Sequence, residues 1–176
     1  VTAGCAVTNN EEIAEEICLL QKNFGGILGV EDAWLILRGM KTMGLRMEKS
    51  VENAKILTKF LETQDKIKKV YYPNLTSCKF YDIHTEQASS GGAVFSFEFF
   101  EQDDLKTFLK KIKIPIYAIS LGGVESIISH PATMSHACMS EEERLAQGVT
   151  QTLLRFSCGV EDAEDLIEDL TQALTD

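Results

Sequence analysis

One arginine stands in the middle of the short apolar run Leu153-Leu-Arg-Phe-Ser157. A strand alternates its side chains between faces, so Arg155 shares a face with Leu153 and Ser157. Leu154 and Phe156 take the other face. An unpaired charge within such a run is costly, so the fold must supply Arg155 with a partner. Two kinds of partner are open. One is a structural ion pair with one of the many nearby acids. The other is a ligand carboxylate, which a planar guanidinium grips with two parallel hydrogen bonds. Beyond the run, Ala163, Leu166, Ile167, Leu170, Ala173 and Leu174 recur at three and four residues, the stripe of a helix packed on a core. Glu161, Asp162, Glu164 and Asp165 load its first turn with charge that complements the helix dipole.

The preceding chain alternates strands and helices. Val1–Thr8 is small and β-branched and predicts a buried strand. Asn9 or Asn10 caps a helix carrying Ile13, Ile17 and Leu20 on one face, broken at Phe24-Gly-Gly-Ile-Leu-Gly29. Asp32 caps a second helix through Trp34, Leu35 and Leu37 to about Met40. A long amphipathic helix from Leu45 to Thr63 carries Met47, Val51, Ala54, Leu57, Phe60 and Leu61. Ile67–Tyr72 predicts a strand stopped by Pro73-Asn74. Residues 74–90 read as irregular, with His84 exposed and inert. Phe95, Phe97 and Phe99 share one face of a strand over Ala93–Phe100. Asp103 or Asp104 starts a helix with Leu105, Phe108, Leu109 and Ile112 inward. Ile116–Ile119 is a short strand, and Leu121–Gly123 can bring backbone N–H groups close to a ligand. Ser140 with Glu143 forms a capping box for a helix over Glu141–Gln147. The pattern is an α/β domain with one layer of helices on a small sheet.

Composition excludes several roles. The net charge of −10 disfavours nucleic acid and anionic membranes as partners. No apolar run reaches membrane-spanning length. Five scattered cysteines without a C-x-x-C pair indicate neither a zinc site nor a disulfide framework, and fit a reducing cytoplasm. His130, His136 and Cys138 lie near one another in sequence, but a cysteine–histidine catalytic pair needs an orienting third group, and no signature supplies one. Ser120 lacks the G-x-S-x-G context of a hydrolase nucleophile.

Three segments, in order, carry a resemblance: Ser120-Leu-Gly-Gly-Val-Glu-Ser126, His130-Pro-Ala-Thr-Met-Ser-His136 and Leu153-Leu-Arg-Phe-Ser-Cys-Gly-Val-Glu-Asp162. Arg38-Gly-Met-Lys-Thr42 adds to it. The chain resembles, over essentially its whole length, the C-terminal part of the Cys/Met-metabolism pyridoxal-phosphate enzymes. That family includes cystathionine γ-synthase, cystathionine β- and γ-lyases and methionine γ-lyase. The resemblance implies a fold-type I C-terminal domain at residues 66–176, preceded at 1–65 by the tail of the large cofactor domain and its linking helix. It implies that Arg155 binds the substrate α-carboxylate, that Ser120 lies beside the substrate, and that Thr150 supports the carboxylate site. The lysine that forms the Schiff base with pyridoxal phosphate would lie upstream of Val1. No catalytic residue is therefore expected within the chain, and the chain alone is expected to be inactive. In relatives an asparagine before the Phe24-Gly-Gly break approaches a neighbouring subunit; Lys22 stands there instead, followed by Asn23. Ile119 replaces the glutamate common in γ-synthases and γ-lyases, as in methionine γ-lyase and some bacterial cystathionine β-lyases, and the reading leans toward a bacterial-type cystathionine β-lyase, with cystathionine γ-synthase, γ-lyase or methionine γ-lyase as alternatives. The implied partners are a sulfur amino acid, the missing N-terminal half and neighbouring subunits, in a homotetramer of active dimers. Residues 1–65 are then expected to expose apolar surface that other chains or the missing half cover. A reading of another class is a truncated fragment that serves only in binding or assembly.

Overall fold

The computed structural model describes residues 1–175. Its contacts divide the chain into two compact units, Val1–Gly44 and a larger one from Leu45 onward.

In the first unit, Asn10 caps α1 (Glu11–Phe24), its side-chain oxygen accepting from the Ile13 N–H at 3.1 Å. The helix ends at Gly25 and Gly26, both at positive φ, where a β-carbon would be strained. α2 (Val30–Met40) starts two residues before Asp32, so Gly29 is its cap and Asp32 sits in the first turn. Val1–Thr8 is not a strand: it forms no ladder, and Val1 and Val7 are 68% and 88% exposed. Small β-branched residues favour extension, but a strand needs a neighbour to take its backbone N–H and C=O groups. Ile13, Ile17, Leu20, Trp34 and Leu37 are also exposed.

The larger unit is organised on five strands. They are β1 (Ile67–Tyr71), β2 (Val94–Phe99), β3 (Ile116–Tyr117), β4 (Ile127–Ser129) and β5 (Leu153–Ser157). The sheet order is β1-β2-β5-β4-β3, antiparallel except for the parallel β3–β4 pair. The helices are α3 (Met43–Glu62), α4 (Tyr81–Gln87), α5 (Gln102–Lys111), α6 (Glu141–Ala146) and α7 (Ala163–Leu174), with a 3-10 turn at Pro131–Thr133. One sheet face carries Phe95, Phe97, Phe99, Ile128, Leu154 and Phe156. It packs into one core with Leu57 and Leu61 of α3, Leu105 and Phe108 of α5, and Leu166 and Leu170 of α7. Phe95 stacks on Phe156 at 5.2 Å between ring centroids, and Phe97 meets Phe108 edge-on at 5.9 Å. Each such buried side chain contributes about 1.5–3 kcal/mol.

From Val51 onward the inward positions of α3 are buried in this core, so the expected exposed apolar surface is confined to the residues before it. The capping box at Ser140 and Glu143 forms with both of its hydrogen bonds. α5 starts at Gln102 after Glu101 rather than at Asp103 or Asp104, which occupy its first turn. Residues 74–90 are not wholly irregular: they contain α4, and His84 is half-buried with Nε2 3.0 Å from the Ser90 carbonyl. Among the described residues no helix is long and apolar enough to cross a membrane.

Candidate functional site

The alternation of β5 turns Arg155 and Ser157 away from the phenylalanine core. Across the ladder Arg155 faces Ser96 on β2 and Ser129 on β4, two short side chains that leave room for a guanidinium. Its Nη2 donates to the Ser120 carbonyl at 2.9 Å, and among the described residues it makes no ion pair with a carboxylate. A backbone carbonyl occupies one of the five guanidinium N–H groups and leaves the charge uncompensated.

Ser120 opens the loop that joins β3 to β4, and the loop is fastened to the chain that continues from β5. Gly122 donates its N–H to Ser157 Oγ at 2.8 Å. Gly122 lies at φ 75°, which only glycine adopts without strain. Val160 donates its N–H to the Val124 carbonyl at 2.9 Å. Glu161 closes the series. Its carboxylate accepts the Ser126 N–H at 2.5 Å and the Ser126 hydroxyl at 2.8 Å. Ser126 is fully buried, and its Oγ accepts the Gly159 N–H at 3.0 Å. Asn53 of α3 donates to the carbonyls of Gly159 and Glu161 at 3.1 and 2.9 Å. Leu121–Gly123 was expected to offer N–H groups to a ligand, but the Gly122 N–H is already taken by Ser157.

Ile119 and Leu121 are 66% and 55% exposed, and Ser120 between them is exposed too. Ser120 uses its carbonyl toward Arg155. Thr150 lies elsewhere on the face. Its hydroxyl donates to Glu98 Oε1 at 2.8 Å, so it holds an acid rather than the guanidinium. Glu98 was not singled out from sequence. It sits between Phe97 and Phe99 at a position whose alternation points it off the core, and only its place on the face of Arg155 marks it. It is 3% exposed and also receives Lys68 Nζ at 3.3 Å, the Tyr71 hydroxyl at 3.2 Å and the Thr152 hydroxyl at 3.3 Å. Burial pushes its carboxyl upward, but the hydrogen bonds from Thr150 and Lys68, the Lys68 charge and the Tyr71 hydroxyl outweigh it, and the net shift is downward. Burial and the Glu98 charge raise the Tyr71 phenol in turn.

His130 is buried, with Nδ1 2.8 Å from Thr133 Oγ1 and Nε2 3.0 Å from the Gln151 carbonyl. With Thr150 it therefore fixes the turn that enters β5. His136 bonds Ser135 at 2.8 Å and Cys138 is exposed, and neither histidine is hydrogen-bonded to that thiol.

The groups gathered on the loop are a guanidinium, serine hydroxyls, backbone amides and one carboxylate. The Arg155 guanidinium keeps donors that suit a carboxylate, whereas the Ser126 and Ser157 hydroxyls, the Gly122 and Ser126 amides and the Glu161 carboxylate are engaged with one another. None is a primary amine, so this set cannot form a Schiff base with an aldehyde cofactor.

A small five-stranded sheet with helices packed on one face, as found here, has counterparts among solved structures. The solved structure of cystathionine gamma synthase from Xanthomonas oryzae pv. oryzae in complex with cystathionine superposes with a TM-score of 0.88 at 35% identity, over 96% of this chain and 44% of that one. Cystathionine beta-lyase MetC of Bacillus subtilis (strain 168) is 45% identical over 174 residues, 99% of this chain and 45% of the relative. Cystathionine gamma-lyase of the same organism is 42% identical over 174 residues, 99% of this chain and 46% of the relative. The chain thus spans less than half the length of the curated relatives it matches. The model of the Cys/Met metabolism PLP-dependent enzymes matches residues 1–175, and with these identities the chain belongs to that family.

Proposed function

We propose that the intact protein is a pyridoxal-phosphate enzyme that acts on the C–S bond of cystathionine or a related sulfur amino acid, as a cystathionine β-lyase. One observation carries the role of this chain. Arg155 lies half-buried on the sheet, held by a backbone carbonyl and matched by no carboxylate among the described residues. Pyridoxal phosphate supplies the electron sink for the substrate α-carbon in this chemistry. Arg155 binds the α-carboxylate, with exposed Ser120 beside it, and so fixes the orientation of the Cα–H bond. Thr150 supports this indirectly, through Glu98 and the turn entering β5. Ile119, on the exposed loop, presents an apolar surface to the distal part of the substrate in place of a glutamate that could pair with a distal ammonium, which suits a β-lyase or a methionine γ-lyase.

The γ-lyase and γ-synthase activities are the second reading, since relatives with those names match nearly as well. Residues 1–65 form the end of the cofactor domain and its linking helix, and 66–176 the C-terminal domain. The exposed apolar side chains of the first 44 residues face the N-terminal half or a neighbouring subunit of a homotetramer. Five free cysteines suit the reducing cytoplasm.

The test is Arg155→Lys in the full-length enzyme. Lysine keeps the charge but not the planar paired contact. A charge-assisted contact contributes about 1.5–3 kcal/mol, so kcat/KM is expected to fall about ten- to a hundredfold. Unchanged substrate affinity together with loss of folding would make Arg155 structural.

A further inference from the structure

The loop and the chain from Arg155 to Glu161 meet at four successive points. Ser120, Gly122, Val124 and Ser126 engage Arg155, Ser157, Val160 and Glu161 in the same chain direction. Backbone and side chain change roles along the way. Arg155 and Ser157 use side chains on backbone groups of the loop, Val160 uses backbone on backbone, and Glu161 uses its carboxylate on both groups of Ser126. Arg155 is therefore one end of a fastening whose other end is Glu161.

We infer that Glu161 is a positioning residue for the substrate-carboxylate site: by clamping Ser126 it holds the whole Ser120–Ser126 loop in the register that sets the Ser120 carbonyl against Arg155. The inference rests on the reading of Arg155 as the carboxylate ligand. Two features separate it from ordinary packing. First, the clamp is chemically exact in donors and acceptors. Ser126 Oγ accepts from Gly159 and must donate its proton, while the Ser126 N–H needs a second acceptor. Each of these donors meets its own carboxylate oxygen, Oε1 for the N–H and Oε2 for the hydroxyl, and glutamine in the same pose would turn its amide donor toward one of them. Second, the clamp has no slack. A β-carbon on Gly159 would overlap the Val124 carbonyl oxygen and the Glu161 carboxylate. The carbonyls of Gly159 and Glu161 are fixed in turn by buried Asn53 on α3. A shift at Ser126 is thus passed toward Ser120 rather than absorbed beside Glu161.

The full-length holoenzyme is titrated with L-alanine and with L-alaninamide, which differ only in the carboxylate. The ratio of the two dissociation constants reads carboxylate recognition, and thermal unfolding is followed separately. Arg155→Lys is expected to lower the preference for L-alanine at least tenfold, and Glu161→Gln about tenfold. Ser126→Ala, which keeps the backbone N–H contact to Glu161 and is the second variant should Glu161→Gln fail to fold, is expected to lower it about threefold. If Arg155→Lys lowers the preference while Glu161→Gln and Ser126→Ala leave it within twofold, whatever their unfolding temperatures, Glu161 is only structural. If Arg155→Lys leaves the preference unchanged, the carboxylate assignment itself fails and takes this inference with it.

Discussion

Replacing Gly159 with alanine tests the fastening directly. Gly159 is buried where the segment after β5 presses on the loop. An added β-carbon would overlap the Val124 carbonyl oxygen and the Glu161 carboxylate, and would lie 2.6 Å from the backbone carbon of Glu125. Two of these three neighbours are backbone, so no rotamer change relieves the clash and the loop must retreat. Retreat lengthens the Gly159 to Ser126 contact at 3.0 Å and the Val160 to Val124 contact at 2.9 Å. Two hydrogen bonds at about 1 kcal/mol each, with overpacking at about 1–3 kcal/mol, give a loss of about 3–5 kcal/mol. That is a large fraction of a domain's stability of about 5–15 kcal/mol. Gly122→Ala is the comparison. A β-carbon there meets nothing within 4 Å, and only its φ of 75° is unfavourable. Its expected cost is about 1–2 kcal/mol. Hydrogen exchange of the full-length protein should show faster exchange over 118–126 and 158–162 in Gly159→Ala, with α7 protected as before. A Gly159→Ala protein that melts within a degree of the parent and exchanges at the same rate over 118–126 would refute the steric reasoning.

Two further outcomes are expected. The folded-state pKa of Glu98 lies below its ordinary 4.5, so its contribution is present above that value and lost as pH falls through it toward the depressed folded value; denaturant midpoints measured from pH 7 to pH 3 should therefore fall more steeply below 4.5 in the parent than in Glu98→Gln, and equal slopes would show that the Glu98 network contributes nothing. Ile119→Glu in the full-length enzyme should raise γ-elimination of cystathionine relative to methionine, and an unchanged ratio would remove Ile119 from the distal pocket.

Most of the larger unit was legible because its signals are periodic and its partners local. Phe95, Phe97 and Phe99 alternate, and all three are fully buried. Ala163 to Leu174 repeats at helical spacing, and α7 covers that range. Ser140 and Glu143 carry their cap within four residues. What was missed depends on distant chain. β4 offers only Ile127 and Ile128 between serines, too short for a period, and becomes a strand because β5 and β3 flank it. Val1–Thr8 fails in the opposite sense, having strand composition without a ladder. Thr150 was placed correctly in sequence, just ahead of the arginine strand, but its hydroxyl turns to Glu98 across the sheet, a pairing 52 residues apart that no local pattern encodes.

The availability of Arg155 follows from how its neighbours are occupied. The chain carries 27 acidic residues against 17 Lys and Arg, so a guanidinium without a carboxylate is not the default outcome. Glu98 is the acid placed to take it. It lies opposite Leu153 on the same sheet face, a diagonal neighbour of Arg155 at a typical spacing of about 7–8 Å. Lys68, Tyr71, Thr150 and Thr152 surround that carboxylate first. Glu161 lies four residues beyond Ser157, and both of its oxygens are committed to Ser126. The positions directly opposite Arg155 are serines, which carry no charge to neutralise it. The sheet thus spends its acids on fixing the turn before β5 and the loop after β3, and what it leaves between them is a positive charge of fixed orientation. An anion entering there meets a guanidinium already desolvated on one side and already aligned, so little ordering remains to be done on binding.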